Sequence, residues 1–189
     1  YALHKDQPGY GFTVGAHDPS RPLVIDPLLR STYVGGSLDD AAYAVAVHPT
    51  TGEVYVAGET YTTGNSFPGT AGGAQPSNGG NQDVFIARFS ADLTQRLQAT
   101  YLGGLYDDSA RAIAINAATG DVYVAGVSSS ALFPGVGCGS PSSATGAFVS
   151  RFNANLTVLH CSIRLGSTTS ARALAIRQVN GDVYVGGEA

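Results

Sequence analysis

Residues 31–47 read STYVGGSLDDAAYAVAV, and residues 99–115 nearly repeat them as ATYLGGLYDDSARAIAI. The match extends further: residues 33–60 are YVGGSLDDAAYAVAVHPTTGEVYVAGET and residues 101–128 are YLGGLYDDSARAIAINAATGDVYVAGVS. A worn third copy, IRLGSTTSARALAIRQVNGDVYVGGEA, runs over residues 163–189. Three copies of one phrase predict three copies of one structural unit, because a repeat of tens of residues encodes a supersecondary element that recurs.

Each unit carries a β code. The stretches 44–47, 112–115 and 173–176 alternate alanine with a branched apolar residue, so both faces of the strand carry methyl groups or bulk. The expectation is a strand that is dry on both sides, with sheets packed above and below it. A polar turn follows, with a glycine near its end (Gly52, Gly120, Gly181), and then Val-Tyr-Val at 54–56, 122–124 and 183–185. That glycine supplies the positive φ with which an antiparallel hairpin closes. Long Gly/Ser/Pro-rich loops come next in the first two units. A third strand is expected at 83–89 and 146–152, a turn at SADLT or NANLT, and a fourth strand leading into the next unit. Four antiparallel strands per unit with an apolar inner strand describe a propeller blade. The glycine pairs Gly35-Gly36 and Gly103-Gly104 fall where the chain passes from one unit to the next, a crowded path that favours residues without Cβ.

Composition agrees with a turn-rich β protein: 25 glycines, 13% charged residues, no tryptophan and a formal net charge of −4. Lys5 is the only lysine and no basic block exists, so nucleic acid is not an expected partner. No apolar run reaches the roughly 18 residues of a membrane span.

The motifs STYVGG, AVAV, VYVAGET, SFPGT, GGNQDVFIARF and ATYLGGLYDDSARAIAI resemble the repeat of the bacterial SBBP family of β-propellers, from about Leu28 onward. The lead-in FTVGAHDPSRPLVIDPLL is similar to the end of a β-rich domain that often precedes such repeats. The resemblance implies an all-β chain of four-stranded antiparallel propeller blades, about two and a half repeats of a partial propeller. Residues 1–27 would close an upstream β domain, and residues 28–189 would hold blades at about 28–100, 101–163 and, in part, 164–189. It also implies a secreted or surface-displayed setting and a non-enzymatic scaffold for protein or glycan interaction and adhesion. Two alternatives stay open: a structural subunit of an extracellular filament or sheath, and a non-catalytic part of a secreted polysaccharide-active enzyme. A propeller ring takes roughly 4 to 8 blades, so the missing edges are expected from the rest of a longer chain or from further copies.

Candidate sites are few. The pairs Asp39-Asp40 and Asp107-Asp108 follow a glycine turn and read either as a calcium site, which wants carboxylate and carbonyl oxygens, or as turn aspartates that accept backbone N–H bonds. The second reading is favoured because no D-x-D-x-D-G ladder is present. The third unit lacks the pair altogether. Cys138 in the long loop of the second unit and Cys161 on its outer strand read as a disulfide if the compartment is oxidising. Tyr33, Tyr55, Tyr101, Tyr123 and Tyr184 recur in register and are expected in the core; Tyr61 and Tyr106 break register and are the candidate exposed ligand contacts. His4, His17, His48 and His160 share no spacing and are expected at the surface or in turns. No catalytic set is expected, because G-x-S-x-G and H-E-x-x-H are both absent.

Overall fold

A computed structural model describes residues 31–135, 145–166 and 169–188, together with the backbone of two short strands nearer the start. The chain divides into two units, Tyr1–Ser31 and Thr32–Ala189. In the first, β1 (Ala2–Leu3) pairs antiparallel with β2 (Tyr10–Gly11). Among the described residues the second unit holds three antiparallel sheets and no helix. Sheet 1 runs β3 (Asp40–Val47), β4 (Val54–Thr60), β5 (Asp83–Phe89), β6 (Arg96–Leu102). Sheet 2 runs β7 (Asp108–Ile115), β8 (Val122–Ser128), β9 (Gly146–Phe152), β10 (Leu159–Arg164). Sheet 3 is the hairpin of β11 (Ser170–Arg177) and β12 (Asp182–Glu188). Strand order follows chain order in each sheet, and the sheets close no barrel or ring among the described residues.

The local code accounts for these elements. The first hairpin of each sheet turns on Gly52, Gly120 or Gly181 at φ of 72°, 76° and 78°, a region costly for any residue with a Cβ. Inside the turn, His48 Nδ1 accepts from the N–H groups of Thr50 and Thr51 at 3.2 Å, and Asn116 Oδ1 does the same for Ala118 and Thr119. His48 is therefore a buried turn residue rather than a surface one. The third-to-fourth-strand turns use no glycine: Leu93 and Leu156 take φ of 56° and 59°, and each carries its side chain back onto a core cluster.

Side-chain alternation gives each sheet two faces. In sheet 2 one face bears Ile113, Ile115, Val122, Val124, Phe148 and Phe152, and it packs on the face of sheet 1 bearing Ala44, Ala46, Tyr55, Ala57, Val84 and Ile86. The opposite face of sheet 2, with Ala112, Ala125, Ala147 and Val149, receives Ala171 and Leu174 of sheet 3. The bulky face always meets the alanine-containing face of the sheet before it. Small-against-large packing of this kind brings the sheets close.

The expectation that every inner strand is dry on both faces holds for β7 alone. β7 lies between β3 and β11, with packed residues along its whole length, whereas β3 and β11 are open on one side. Val45 and Val47 are 66% and 59% exposed; their sheet 2 counterparts Ile113 and Ile115 are 9% and 6% exposed. The sequence is alike in both places, so the difference comes only from the presence of a neighbouring sheet.

Candidate functional site

The chemistry-bearing residues gather where one sheet meets the next. At the start of β3 and of β7 the second aspartate of the pair turns inward and the first stays exposed. Asp40 Oδ2 accepts from Gly36 N at 2.7 Å; Asp108 Oδ2 accepts from Gly104 N and from Ser130 Oγ, both at 2.8 Å. The backbone carbonyls of Asp39 and Asp107 accept from Tyr61 N and Ser129 N. Among the described residues no group of three or more His, Cys, Asp or Glu side chains could hold a metal ion.

The glycine pairs are explained by these contacts, because none of Gly35, Gly36, Gly103 and Gly104 has a positive φ. A methyl on Gly103 would stand 2.8 Å from Asp108 Oδ2 and closer still to Asp83 Oδ1. Sequence reasoning did not single out Asp83, yet it is fully buried, as is Asp108. Its Oδ2 accepts from Gly79 N at 2.7 Å and Gln75 Nε2 at 3.3 Å, while Oδ1 is buried without a hydrogen bond. Burial, helped by the negative charge of Asp108 and opposed by the Gly79 and Gln75 bonds, pushes the Asp83 carboxyl up to about 7. Burial raises Asp108 as well, against the hydrogen bonds it accepts and the pull of Arg164.

A second cluster, also missed, follows the inner strands. The register of β3 with β4 slips between Ala42 and Ala44, that of β7 with β8 between Ala110 and Ala112, and that of β11 with β12 between Ala171 and Ala173. These bulges set aside Tyr43, Arg111 and Arg172, one per unit. The Arg111 guanidinium stands 4.1 Å from the Tyr43 ring centroid, and Glu59 ties them together: it accepts from Tyr43 OH at 2.7 Å and Ser109 Oγ at 2.5 Å, with Arg111 at 3.5 Å. Arg172 pairs with Glu188 at 2.8 Å. The signal in the sequence was the glycine facing each bulge; at Gly58, Gly126 and Gly187 a Cβ would collide with the carbonyl oxygen of Ala41, Ser109 or Ser170.

The repeated tyrosines separate by position. Tyr55 and Tyr101 are fully buried, Tyr123 is half-buried, and Tyr33 and Tyr184 are exposed. Tyr55 OH donates to Ala154 O of the next sheet at 2.8 Å, and burial pushes its hydroxyl up to about 12, so it stays a donor. Tyr101 OH donates to Thr62 O and accepts from Phe67 N, both at 3.0 Å. In sheet 2 the same place belongs to Arg164, whose Nη2 donates to Ser130 O at 2.7 Å while the guanidinium lies 5.0 Å from the Phe133 ring. Tyr61 and Tyr106 are both exposed, each at the end of its own sheet where the first strand begins. Cys161, on β10, is disulfide-bonded; Cys138 lies outside the described residues, as do His4 and His17. Among the described residues no helix is long and apolar enough to cross a membrane. Comparison of the chain with protein-family models and with curated proteins gives no match.

Proposed function

We propose that the three sheets are successive blades of an SBBP-type β-propeller repeat, and that the chain is a non-enzymatic scaffold displayed outside the cell, with its loops and faces contacting protein or glycan partners. One observation carries the reading: β3, β7 and β11 lie side by side, and each bulky sheet face packs on the alanine-containing face of the sheet before it. Stacked repeats whose first strands line one edge are the arrangement from which blades are built. A disulfide-bonded Cys161 fits an oxidising compartment. At the sheet junctions Asp108 Oδ2, Ser130 and Glu59 are engaged in holding turns and neighbouring sheets, chemistry that suits a support.

Tyr61 and Tyr106 offer rings with a polar tip to solvent, a surface suited to half-wet contact with a sugar ring or a protein loop. Labelling of intact producing cells with an antibody to the chain tests the display, and labelling only after lysis overturns it. A glycan and surface-protein binding panel tests the role. Tyr61→Ala with Tyr106→Ala weakens whichever interaction is found, whereas undiminished binding removes those two residues from the contact.

A further inference from the structure

The loop ends of sheets 1 and 2 lie on the same side, because Asp83 at the start of β5 and Asp108 at the start of β7 share the space beside Gly103. At this end of sheet 2 apolar side chains stand in water: Leu105, Tyr106 and Leu132 are 64%, 57% and 78% exposed. They belong to neighbouring segments, since Tyr106 N donates to Ser130 Oγ at 3.0 Å and Ser129 N to Asp107 O at 2.9 Å. Sheet 1 repeats the arrangement. Leu38 N donates to Thr62 Oγ1 and Tyr61 N to Asp39 O, and the side chains of Leu38 and Tyr61 are exposed. Single exposed leucines are ordinary on a protein surface, whereas a contiguous group marks a place of contact. Sheet 2 has a sheet packed on each face, so this exposure does not come from the edge of the stack. Further repeats add along the stack, beside the sheet faces, and leave the loop end of sheet 2 uncovered.

Charge at this end is one-sided. Segments 31–39, 61–82, 103–107 and 129–135 hold no Lys, Arg or His, and Asp39 and Asp107 are exposed beside Leu38 and Tyr106. Arg111 and Arg172, further along the first strands, face Glu59 and Glu188. At the opposite end of the sheets Arg88, Arg151 and Arg177 pair with Glu53, Asp121 and Asp182. Asp39 and Asp107 are therefore the uncompensated charges among the described residues, and with apolar side chains next to them they suit a cation that brings its own apolar surface.

We propose that this loop end, centred on Leu105, Tyr106, Asp107 and Leu132 and continued on sheet 1 by Leu38, Asp39 and Tyr61, docks a peptide segment of a partner protein in which lysine or arginine stands beside aliphatic or aromatic residues. The inference rests on the scaffold reading above and decides its partner class. Most of these apolar side chains are leucines, which give the hydroxyls of a sugar no partner, and the hydroxyl oxygens of Ser130 and Thr62 already accept from the loop backbone.

Fluorescence anisotropy with a labelled decapeptide of alternating lysine and leucine tests this, beside decapeptides of alternating glutamate and leucine and of alternating lysine and serine, and beside labelled cellohexaose. The lysine–leucine probe is expected to bind about tenfold more tightly than either other peptide, and more weakly as salt is raised. Asp39→Asn with Asp107→Asn is expected to weaken it about fivefold and to flatten the salt dependence. Tyr106→Ser with Leu132→Ser is expected to weaken it about tenfold, and Asp182→Asn at the opposite end to leave it unchanged. The substituted side chains are exposed, so circular dichroism is expected to show the wild-type β spectrum; the salt titration of the wild type decides the charge argument should a variant lose it. Equal binding of the glutamate–leucine probe, or undiminished binding by both double variants, overturns the proposal. Cellohexaose bound and then lost in Tyr61→Ala with Tyr106→Ala, with no binding of the lysine–leucine probe, overturns the peptide assignment and leaves the scaffold reading standing. Binding of neither, together with labelling of producing cells only after lysis, removes both.

Discussion

Asp83 opens the third strand of sheet 1 and Asp108 opens the first strand of sheet 2, yet their carboxylates share the space beside Gly103, both fully buried. At the next junction the same two positions hold Gly146 and Thr169, and Thr169 Oγ1 instead accepts from Ala147 N at 3.3 Å. Both acids are replaced together, so within this one chain the pair behaves as a unit. Two like charges at such proximity disfavour simultaneous ionisation.

The pH dependence follows from the sign of that shift. Folded Asp83 holds its proton up to about 7, whereas in the unfolded chain it titrates near the ordinary 3.8. Between these values the native state binds more protons than the unfolded state, so unfolding free energy falls as pH rises through the window and levels off above it. Thermal melts from pH 4 to pH 8 are expected to show falling stability for the wild type and a flatter profile for Asp83→Asn. Equal slopes for the two would remove Asp83 as the source.

Gly103→Ala places a methyl group against both carboxylates and leaves it no room to shift, because Asp83 and Asp108 are each held by backbone N–H donors. Overpacking of this kind costs about 1–3 kcal/mol. Urea denaturation at neutral pH measures it, and an unchanged midpoint would show that the junction can open.

Ile113 and Val45 occupy equivalent positions with opposite surroundings. Ile113→Ala removes a side chain buried between sheets 1 and 2 and is expected to cost about 2–5 kcal/mol. Val45→Ala, measured on dilute chain, is expected to stay within about 0.5 kcal/mol, since the side chain is mostly in water. Comparable losses at both sites would mean that the open face of sheet 1 is covered.

Cys161→Ser is expected to lower stability by about 3 kcal/mol, on the loop-closure argument. Peptide mapping without reductant should yield Cys138 and Cys161 in one linked fragment that separates on reduction. Identical maps under both conditions would contradict the bond.

Calorimetric titration with calcium is expected to give no stoichiometric heat. Asp40 and Asp108 already accept backbone N–H bonds, Asp39 and Asp107 are exposed, and among the described residues no group of three or more His, Cys, Asp or Glu side chains is placed to hold an ion. One bound ion per aspartate pair would reverse this assignment.

The repeat, the hairpins and the strand at 83–89 were legible because each is written in contiguous residues. Alternation of side chains has a period of two, and a left-handed turn residue demands glycine wherever the rest of the chain lies. That an aspartate of each pair accepts a backbone N–H bond in the turn was legible for the same reason, since the donors are four residues away; which of the two does so, Asp40 and Asp108, came from the structure. Asp83 was not, because its neighbour Asp108 arrives from another sheet. Nor were the bulges that set aside Tyr43, Arg111 and Arg172, since a bulge is a property of two paired strands rather than of one.

By itself the sequence determined an all-β chain of repeated antiparallel units, the positions of their turns and the alternation of side chains along the strands away from the bulges. Only the tertiary structure decided which faces are dry, why Tyr101 and Arg164 do one job in two chemistries, and which acids meet. Those outcomes depend on what lies across a strand in space, and two stretches as alike as residues 44–47 and 112–115 differ in burial solely because one has a sheet on either side.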